Sequence, residues 1–283
     1  LSRHPRFEQI SPEVGELDEA AIDEAMNENP DETLSMIADL TAATDPKLRA
    51  AARQLAGRLM LDIAGSVARP RRGMGRIVTS PFRGEGDIDL DASTEAFEGR
   101  GARRRVKVDE LRARTWSKRD TAVCLVVDRS GSMGGKPLAT SALAAAAVAL
   151  REPDDYSVLA FGRDVVVSKS QDAPRAGEDV VNSVLTLRGF GTTDLAGALR
   201  AATEQLARSR AARKVVVLLS DCRATEPGDV EEVARSVEEL CIVAPEGDDA
   251  EARALASSVG ARIATVGEPT DVPGALVEVL DRS

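Results

Sequence analysis

An aspartate and two serines at alternate positions, Asp128, Ser130 and Ser132, follow directly on the apolar run Ala122–Val127. Carboxylate and hydroxyl oxygens are hard donors. Several on one short loop suit a small, hard cation that keeps part of its water shell: Mg²⁺ above all, with Mn²⁺ or Ca²⁺ as alternatives. Gly131, Gly134 and Gly135 let the backbone turn tightly around such a site. The preceding run is rich in β-branched residues and has no polar alternation, so it reads as a parallel strand buried on both faces. The loop then lies at the carboxyl end of a central strand, where open α/β sheets bind their ligands.

A bare D-x-S-x-S is weak, since a solvated βα turn has the same composition. Two further stretches sharpen it. Gly191-Thr-Thr193-Asp-Leu precedes a helical pattern, and Val215-Val-Val-Leu-Leu-Ser-Asp221 ends another apolar strand. Together and in this order, the three pieces resemble the metal-ion-dependent adhesion site of the von Willebrand factor A (VWA) family. That resemblance implies that Ser130 and Ser132 ligate the metal directly, while Asp128, Thr193 and Asp221 bind it directly or through water. It also implies a first shell with few charged ligands, so the cation stays electrophilic and takes an acidic side chain from a partner as its last ligand. Such chemistry is recognition and needs no bond breaking. Asp194, beside Thr193, reads as a helix N-cap and not as a ligand.

Enzymatic readings fare worse. Gly131-Ser-Met-Gly-Gly-Lys136 has the wrong spacing for a phosphate loop, and Pro137 stands where Ser or Thr would hold Mg²⁺. Ser130 occupies the first glycine position of a nucleophile elbow around Ser132. The single histidine, His4, lies in a polar tail, which excludes a Ser-His-Asp triad. Phosphoryl transfer from Asp128 and Asp221 lacks the second aspartate that acid/base work would want. The expectation is a protein that is not an enzyme.

The 283 residues have room for one large or two modest domains. Aromatics make up only 2%, so the core must be built from Ala, Val and Leu, and stacking platforms for single-stranded nucleic acid are missing. The formal net charge of -10 also argues against nucleic-acid partners. Most of that excess falls in residues 121–283, with 17 Lys/Arg against 25 Asp/Glu. Cys124, Cys222 and Cys241 are isolated, odd in number and without C-x-x-C spacing, so disulfides and zinc are not expected and a reducing cytoplasm is. No stretch reaches the roughly 18 apolar residues of a membrane span, and no signal peptide is visible.

The chain divides into a mainly helical region (1–68), a basic and acidic linker and arm (69–119) and the domain that carries the site (120–283). In the first, helices are expected at Asp18–Asn27, Asp31–Leu40 and, with Asp45 as N-cap and Pro46 as first residue, to about Ala64. Their amphipathic faces need partners, and a small helical bundle is the default. The acidic stretch Asp87–Asp91 reads as an edge strand. Arg100–Arg119 carries nine Lys/Arg against two acidic residues and reads as an extended arm plus a short strand. The two segments either pair with each other or the basic arm docks on another subunit. Beyond Thr121, strand and helix alternate to the end, which predicts a doubly wound, mainly parallel α/β sheet with helices on both faces.

Trp116 to Asp120, leading into Val127-Asp-Arg-Ser-Gly-Ser-Met-Gly-Gly135, resembles the CoxE-like VWA proteins of bacteria that work beside MoxR-type AAA+ ATPases. The similarity covers about residues 105–283. It implies a cytoplasmic adaptor whose metal binds a carboxylate on the ATPase or on a client, so that ATP-driven remodelling assists enzyme maturation or metal insertion. The alternative is a subunit like the magnesium-chelatase D chain, or a metal-dependent hydrolase. The AAA+-like module and acidic proline-rich linker of the chelatase subunit are not clear in this sequence.

Overall fold

The computed structural model describes residues 10–11, 17–67, 76–81, 87–94, 111–117, 121–129, 134–189 and 191–281. The chain forms two compact units, one from residues 1–70 and 121–283 and the other from residues 71–120.

The larger unit is built on a six-stranded sheet. Its strands are β4 (Thr121–Asp128), β5 (Tyr156–Phe161), β6 (Val165–Lys169), β7 (Arg213–Leu219), β8 (Leu240–Pro245) and β9 (Arg262–Val266). The spatial order is β6-β5-β4-β7-β8-β9. All neighbours are parallel except β5 and β6, which pair antiparallel as a hairpin. β4 is central, and all residues from Thr121 to Val127 are buried. Its side chains alternate between two cores, as the two-residue period of a strand requires. Val123, Leu125 and Val127 face one core, whereas Ala122, Cys124 and Val126 face the other.

The second of these cores is covered by α6 (Leu195–Leu206), α7 (Val230–Ser236) and α8 (Ala250–Val259). The first is covered by α4 (Gly135–Arg151), α5 (Gly177–Leu185) and α9 (Val272–Leu280), the last entered through a 3₁₀ turn at Pro269–Asp271. α4 is buried at nearly every position from Leu138 to Ala149. A helix that is apolar all round needs cover on its outer side as well as on the sheet side.

That cover comes from the first part of the chain. α1 (Glu19–Glu28), α2 (Pro30–Leu40) and α3 (Pro46–Val67) lie close to the expected helix boundaries. Asp18 caps α1, and the Asp45 carboxylate accepts from the Leu48 N–H at 2.8 Å at the start of α3. These helices do not close on themselves as a separate bundle. Leu34, Met36 and Ile37 of α2 and Ala56 and Met60 of α3 join one core with α4, α5 and the sheet. The reason is α4: its small alanine side chains leave a shallow groove in which a second helix can pack closely.

The smaller unit is an antiparallel sheet of order β1-β3-β2, with β1 at Arg76–Pro81, β2 at Asp87–Ile88 and β3 at Arg112–Ser117. β2 is one of its two edge strands, and its Asp87 pairs in register with Arg114 of the basic segment. The acidic and basic stretches therefore meet in one ladder. Most of the arm, residues 95–110 and 118–120, lies outside the described residues.

Candidate metal centre

Asp128 is the last residue of β4 and is only partly exposed. Its Oδ2 accepts a hydrogen bond from Ser220 Oγ at 2.7 Å. Ser220 directly follows β7, the parallel neighbour of β4, so adjacent strand ends bring the two side chains together. Ser220 Oγ in turn accepts from the Cys222 N–H at 2.9 Å. This buried relay ties the turn after β7 to the turn after β4.

Asp221 lies between those two turn residues, and its Oδ1 accepts from the Arg223 N–H at 2.9 Å. Burial pushes the Asp221 carboxyl above the ordinary carboxylate range. The Arg223 N–H pulls against that, the negative charges of Asp128 and Asp248 add to it, and the Arg223 guanidinium opposes it. A half-buried carboxyl near a second carboxylate gains from a nearby positive charge. Cys222, next in the chain, has φ of 63° in the left-handed region that disfavours side chains with a Cβ. Only 7% of it is exposed, and burial with the charges of Asp221, Asp128 and Glu251 pushes its thiol up to about 12. It is a packed, protonated thiol, as a small core residue should be.

Thr193 lies in the loop before α6 and is 2% exposed. Its N–H donates to Thr225 Oγ1 at 2.7 Å, and its carbonyl accepts from the N–H groups of Thr225 and Glu226 at 3.1 and 3.2 Å. The threonine loop is therefore bonded to the turn that carries Asp221. On its other side, the Asp194 N–H donates to the Gly162 carbonyl at 2.8 Å, next to the end of β5. The Asp194 side chain caps α6 by accepting from the Gly197 N–H at 2.8 Å, the role expected for it. The Arg129 N–H completes the cross-links by donating to the Phe161 carbonyl at 2.8 Å.

The turns that carry Asp128, Thr193 and Asp221 thus interlock at the carboxyl edge of β5, β4 and β7. Ser130 and Ser132 lie outside the described residues. Asp128 and Asp221 also line a cavity of about 450 Å³ that continues over β8 and β9, past Lys136, Thr140, Glu246 and Glu268. The Lys136 ammonium pairs with Glu268 at 2.9 Å across its rim. Among the described residues, no three His, Cys, Asp or Glu side chains converge as a metal-holding group. A cation here would need hydroxyl and water ligands beside its carboxylates, and the hard oxygen donors present fit that demand.

The sequence reading missed Asp39, which it left in a helical segment without visible chemistry. The Gly135 N–H, at the start of α4, donates to Asp39 Oδ1 at 2.5 Å. No local signal marks that contact, because its partners are 96 positions apart.

Comparisons place these features among known proteins. A protein of Synechocystis sp. described as uncharacterized, sll0103, is 30% identical over 109 residues, which is 38% of this chain. The chain spans only 26% of that relative's length. Solved structures to which the chain is similar in part include proximal thread matrix protein 1 from the mussel byssus with a zinc-occupied MIDAS motif. It has 12% identity and a TM-score of 0.48, over 57% of this chain and 47% of that one. Manganese-loaded TRAP protein of Plasmodium vivax has 17% identity and a TM-score of 0.46, over 58% and 75%. A von Willebrand factor type A protein from Catenulispora acidiphila has 19% identity and a TM-score of 0.46, over 59% and 43%. The profile of the family described as "VWA domain containing CoxE-like protein" matches residues 42–272, a span that takes in α3, the linker and the whole sheet. The chain belongs to the CoxE-like family of VWA-domain proteins.

Proposed function

We propose that this protein is a metal-dependent interaction module whose partner supplies an acidic side chain to a divalent cation, Mg²⁺ first among the candidates. Asp128, Thr193 and Asp221, with Ser130 and Ser132, would hold the ion. When bound, the cation supplies a Lewis-acidic position for one more oxygen ligand. The chain's own residues do the rest. Ser220 fixes the Asp128 carboxylate by its hydrogen bond, and Thr225 fixes the Thr193 backbone.

The observation that carries this reading is the hydrogen-bonded meeting of the segments that carry Asp128, Thr193 and Asp221 at the carboxyl edge of the sheet, through Ser220 to Asp128 and Thr193 to Thr225. The negative charge of Asp128 adds to what disfavours the ionised Asp221 carboxyl, and a cation at this edge would offset both that charge and the burial. Recognition of a partner's oxygen ligand is the activity that a set of hydroxyl and carboxylate donors supports, and the protein is not an enzyme on this reading. Membership in the CoxE-like family supports a AAA+ ATPase of MoxR type as one partner and a remodelled client as the other, in the cytoplasm. Among the described residues no helix is long and apolar enough to cross a membrane.

The test is retention of partners from the protein's own lysate by the immobilised chain, with Mg²⁺ or with EDTA, compared with Asp128→Ala. A AAA+ ATPase retained only with Mg²⁺ and lost by the variant is expected. Retention that is indifferent to both chelator and variant would remove the metal site from the function. Retention of tetrapyrrole-pathway enzymes instead would point to a chelatase-type subunit.

A further inference from the structure

The sheet has a second cavity at the end away from Asp128. Asp128 pairs with Phe161 at the end of β5, whereas Lys169, the last residue of β6, pairs with Val158 near its start. Lys169 lines a cavity of about 470 Å³, walled by the turn after α4 at Pro153 and Asp154 and by the segment 171–176 that leads into α5. That size lies within the range of small-ligand pockets, about 300–1,000 Å³.

Lysine is almost never fully buried unless it is paired, yet Lys169 is only 4% exposed. Its Nζ donates to the Tyr156 carbonyl at 2.6 Å and the Ser170 carbonyl at 3.1 Å, and lies 4.2 Å from the centre of the Tyr156 ring. These are dipoles and a ring face, so no full negative charge meets the ammonium there. An ammonium has three N–H donors, and the third is left. The nearby carboxylates are turned to other partners. Asp155 accepts from Gln171 Nε2 at 2.6 Å and from Ser209 Oγ at 2.5 Å. Asp172 accepts from Ser170 Oγ at 2.7 Å and from the Arg208 guanidinium at 3.3 Å. Among the described residues no carboxylate forms an ion pair with Lys169. Burial holds its pKa below the usual lysine value, and the charges of Asp155 and Asp172 oppose that only in part. Gln171 lines the same wall and is 5% exposed. Its Nε2 faces Asp155, which fixes the other end of the amide as the oxygen, and that Oε1 is buried with no partner among the described residues. Arg175 donates to the Ser168 carbonyl and lines the cavity with further guanidinium N–H groups to offer.

We propose that this cavity binds an α-amido or α-hydroxy carboxylate, its carboxylate on Lys169 and Arg175 and its N–H or O–H on Gln171. One negative charge supplies the counter-ion that Lys169 lacks, and a planar carboxylate fits the guanidinium fork. Asp154 and Asp172 line the same cavity, so a phosphate dianion would meet repulsion that a single charge largely escapes. A donor beside the carboxylate answers the orphaned amide oxygen, whose desolvation is otherwise uncompensated. Two sources offer this chemistry: the free end of a peptide chain, whose last N–H stands beside its carboxylate, and a free hydroxy acid. Neither needs a cation, so the site is independent of the metal edge.

The test is an NMR titration of the isotope-labelled full chain in EDTA, so that no metal recruits the carboxylate, with folding of each variant checked by melting. The probes are N-acetylglycine for a chain end and lactate for a hydroxy acid, with acetate, N-acetylglycinamide and inorganic phosphate for comparison. N-acetylglycine or lactate is expected to shift the backbone amides of residues 169–176, and the tighter of the two names the source. Acetate, without the donor, is expected to bind at least about 3-fold more weakly, and N-acetylglycinamide, without the charge, at least about 10-fold. Lys169→Met keeps the stem and drops the charge, and is expected to weaken binding at least about 10-fold. Arg175→Gln is expected to weaken it about 3-fold or more. If Lys169→Met does not fold, Arg175→Gln and the amide probe decide. Parent-like affinity in a folded Lys169→Met overturns the proposal. So does parent-like affinity in Arg175→Gln together with N-acetylglycinamide binding as well as the acid. Acetate binding as tightly as both acids also overturns it, since Gln171 is then idle. Phosphate binding more tightly than both acids, or no shift with either acid, has the same consequence. Shifts that appear only with Mg²⁺ and vanish in Asp128→Ala belong to the metal edge, which overturns this inference while supporting the proposed function.

Discussion

Ser220 Oγ donates to Asp128 Oδ2 at 2.7 Å while accepting from the Cys222 N–H at 2.9 Å, so one buried hydroxyl couples the ends of two parallel strands. A hydroxyl can do both at once because it has one donor and two acceptor lone pairs. Alanine at position 220 leaves a carboxylate oxygen and a backbone N–H each without this partner. The expected cost is about 1–3 kcal/mol in urea unfolding, together with weaker divalent-cation binding. A Ser220→Ala protein with parent stability and parent Mn²⁺ affinity would show the relay to be idle.

Asp128→Ala should leave the far-UV spectrum and cooperative melting intact, since β4 is held by two parallel neighbours and a core on each face. It should nevertheless abolish the rise in melting temperature produced by Mg²⁺. Persistence of that rise in the variant would place the bound ion elsewhere.

Asp221 links stability to pH with a definite sign. Its folded carboxyl is raised above the ordinary value near 3.9, chiefly by burial. Between those two values the folded state binds more protons than the unfolded one, so stability without metal falls as pH rises through that window. Asp221→Asn removes the penalty. In EDTA at neutral pH it should melt no lower than the parent, while its gain from Mg²⁺ disappears. A lower melting temperature in EDTA would mean that the carboxylate stabilises the metal-free protein.

The thiols of Cys124 and Cys222 are each pushed up to about 12, chiefly by burial, and Cys241 is also buried. Thiolate is the reactive form, so the native protein at pH 8 should titrate with almost no aromatic-disulfide reagent. All three thiols should react in guanidinium. Fast reaction of one thiol in the native state would assign an accessible role to it.

Thr225→Val should act on Thr193 at a distance. It removes the acceptor for the Thr193 N–H, which then lies buried with that bond unmade. The loss expected is about 1–3 kcal/mol in stability, with a weaker response to Mg²⁺ than the parent shows. An unchanged protein by both measures would mean that the loop does not depend on this bond.

Much of this architecture was legible in the chain. A strand buried on both faces must be apolar without alternation, which is how Ala122–Val127 and Val215–Leu219 announced themselves. Capping is local, so Asp45 and Asp194 could be read from the residues just after them. The order of Asp128, Thr193 and Asp221 along the chain, each next to a strand end or helix start, was enough to expect their loops at one edge of the sheet.

What covers an amphipathic helix is a different kind of question. Periodicity reports that Leu34 and Ile37 share a face, yet any apolar surface of suitable shape satisfies that face, and the hydrophobic effect has no direction of its own. Only the tertiary structure placed α2 on α4, and with it Asp39 at Gly135 and Asp31 at Thr270. The sequence by itself determined the strands, the helix caps and the oxygen donors gathered after β4, because those follow from neighbours a few residues apart. The tertiary structure decided which distant segment meets the start of α4 and the turn before α9, because hydrogen bonds between residues 96 and 239 positions apart exist only once the core between them has formed.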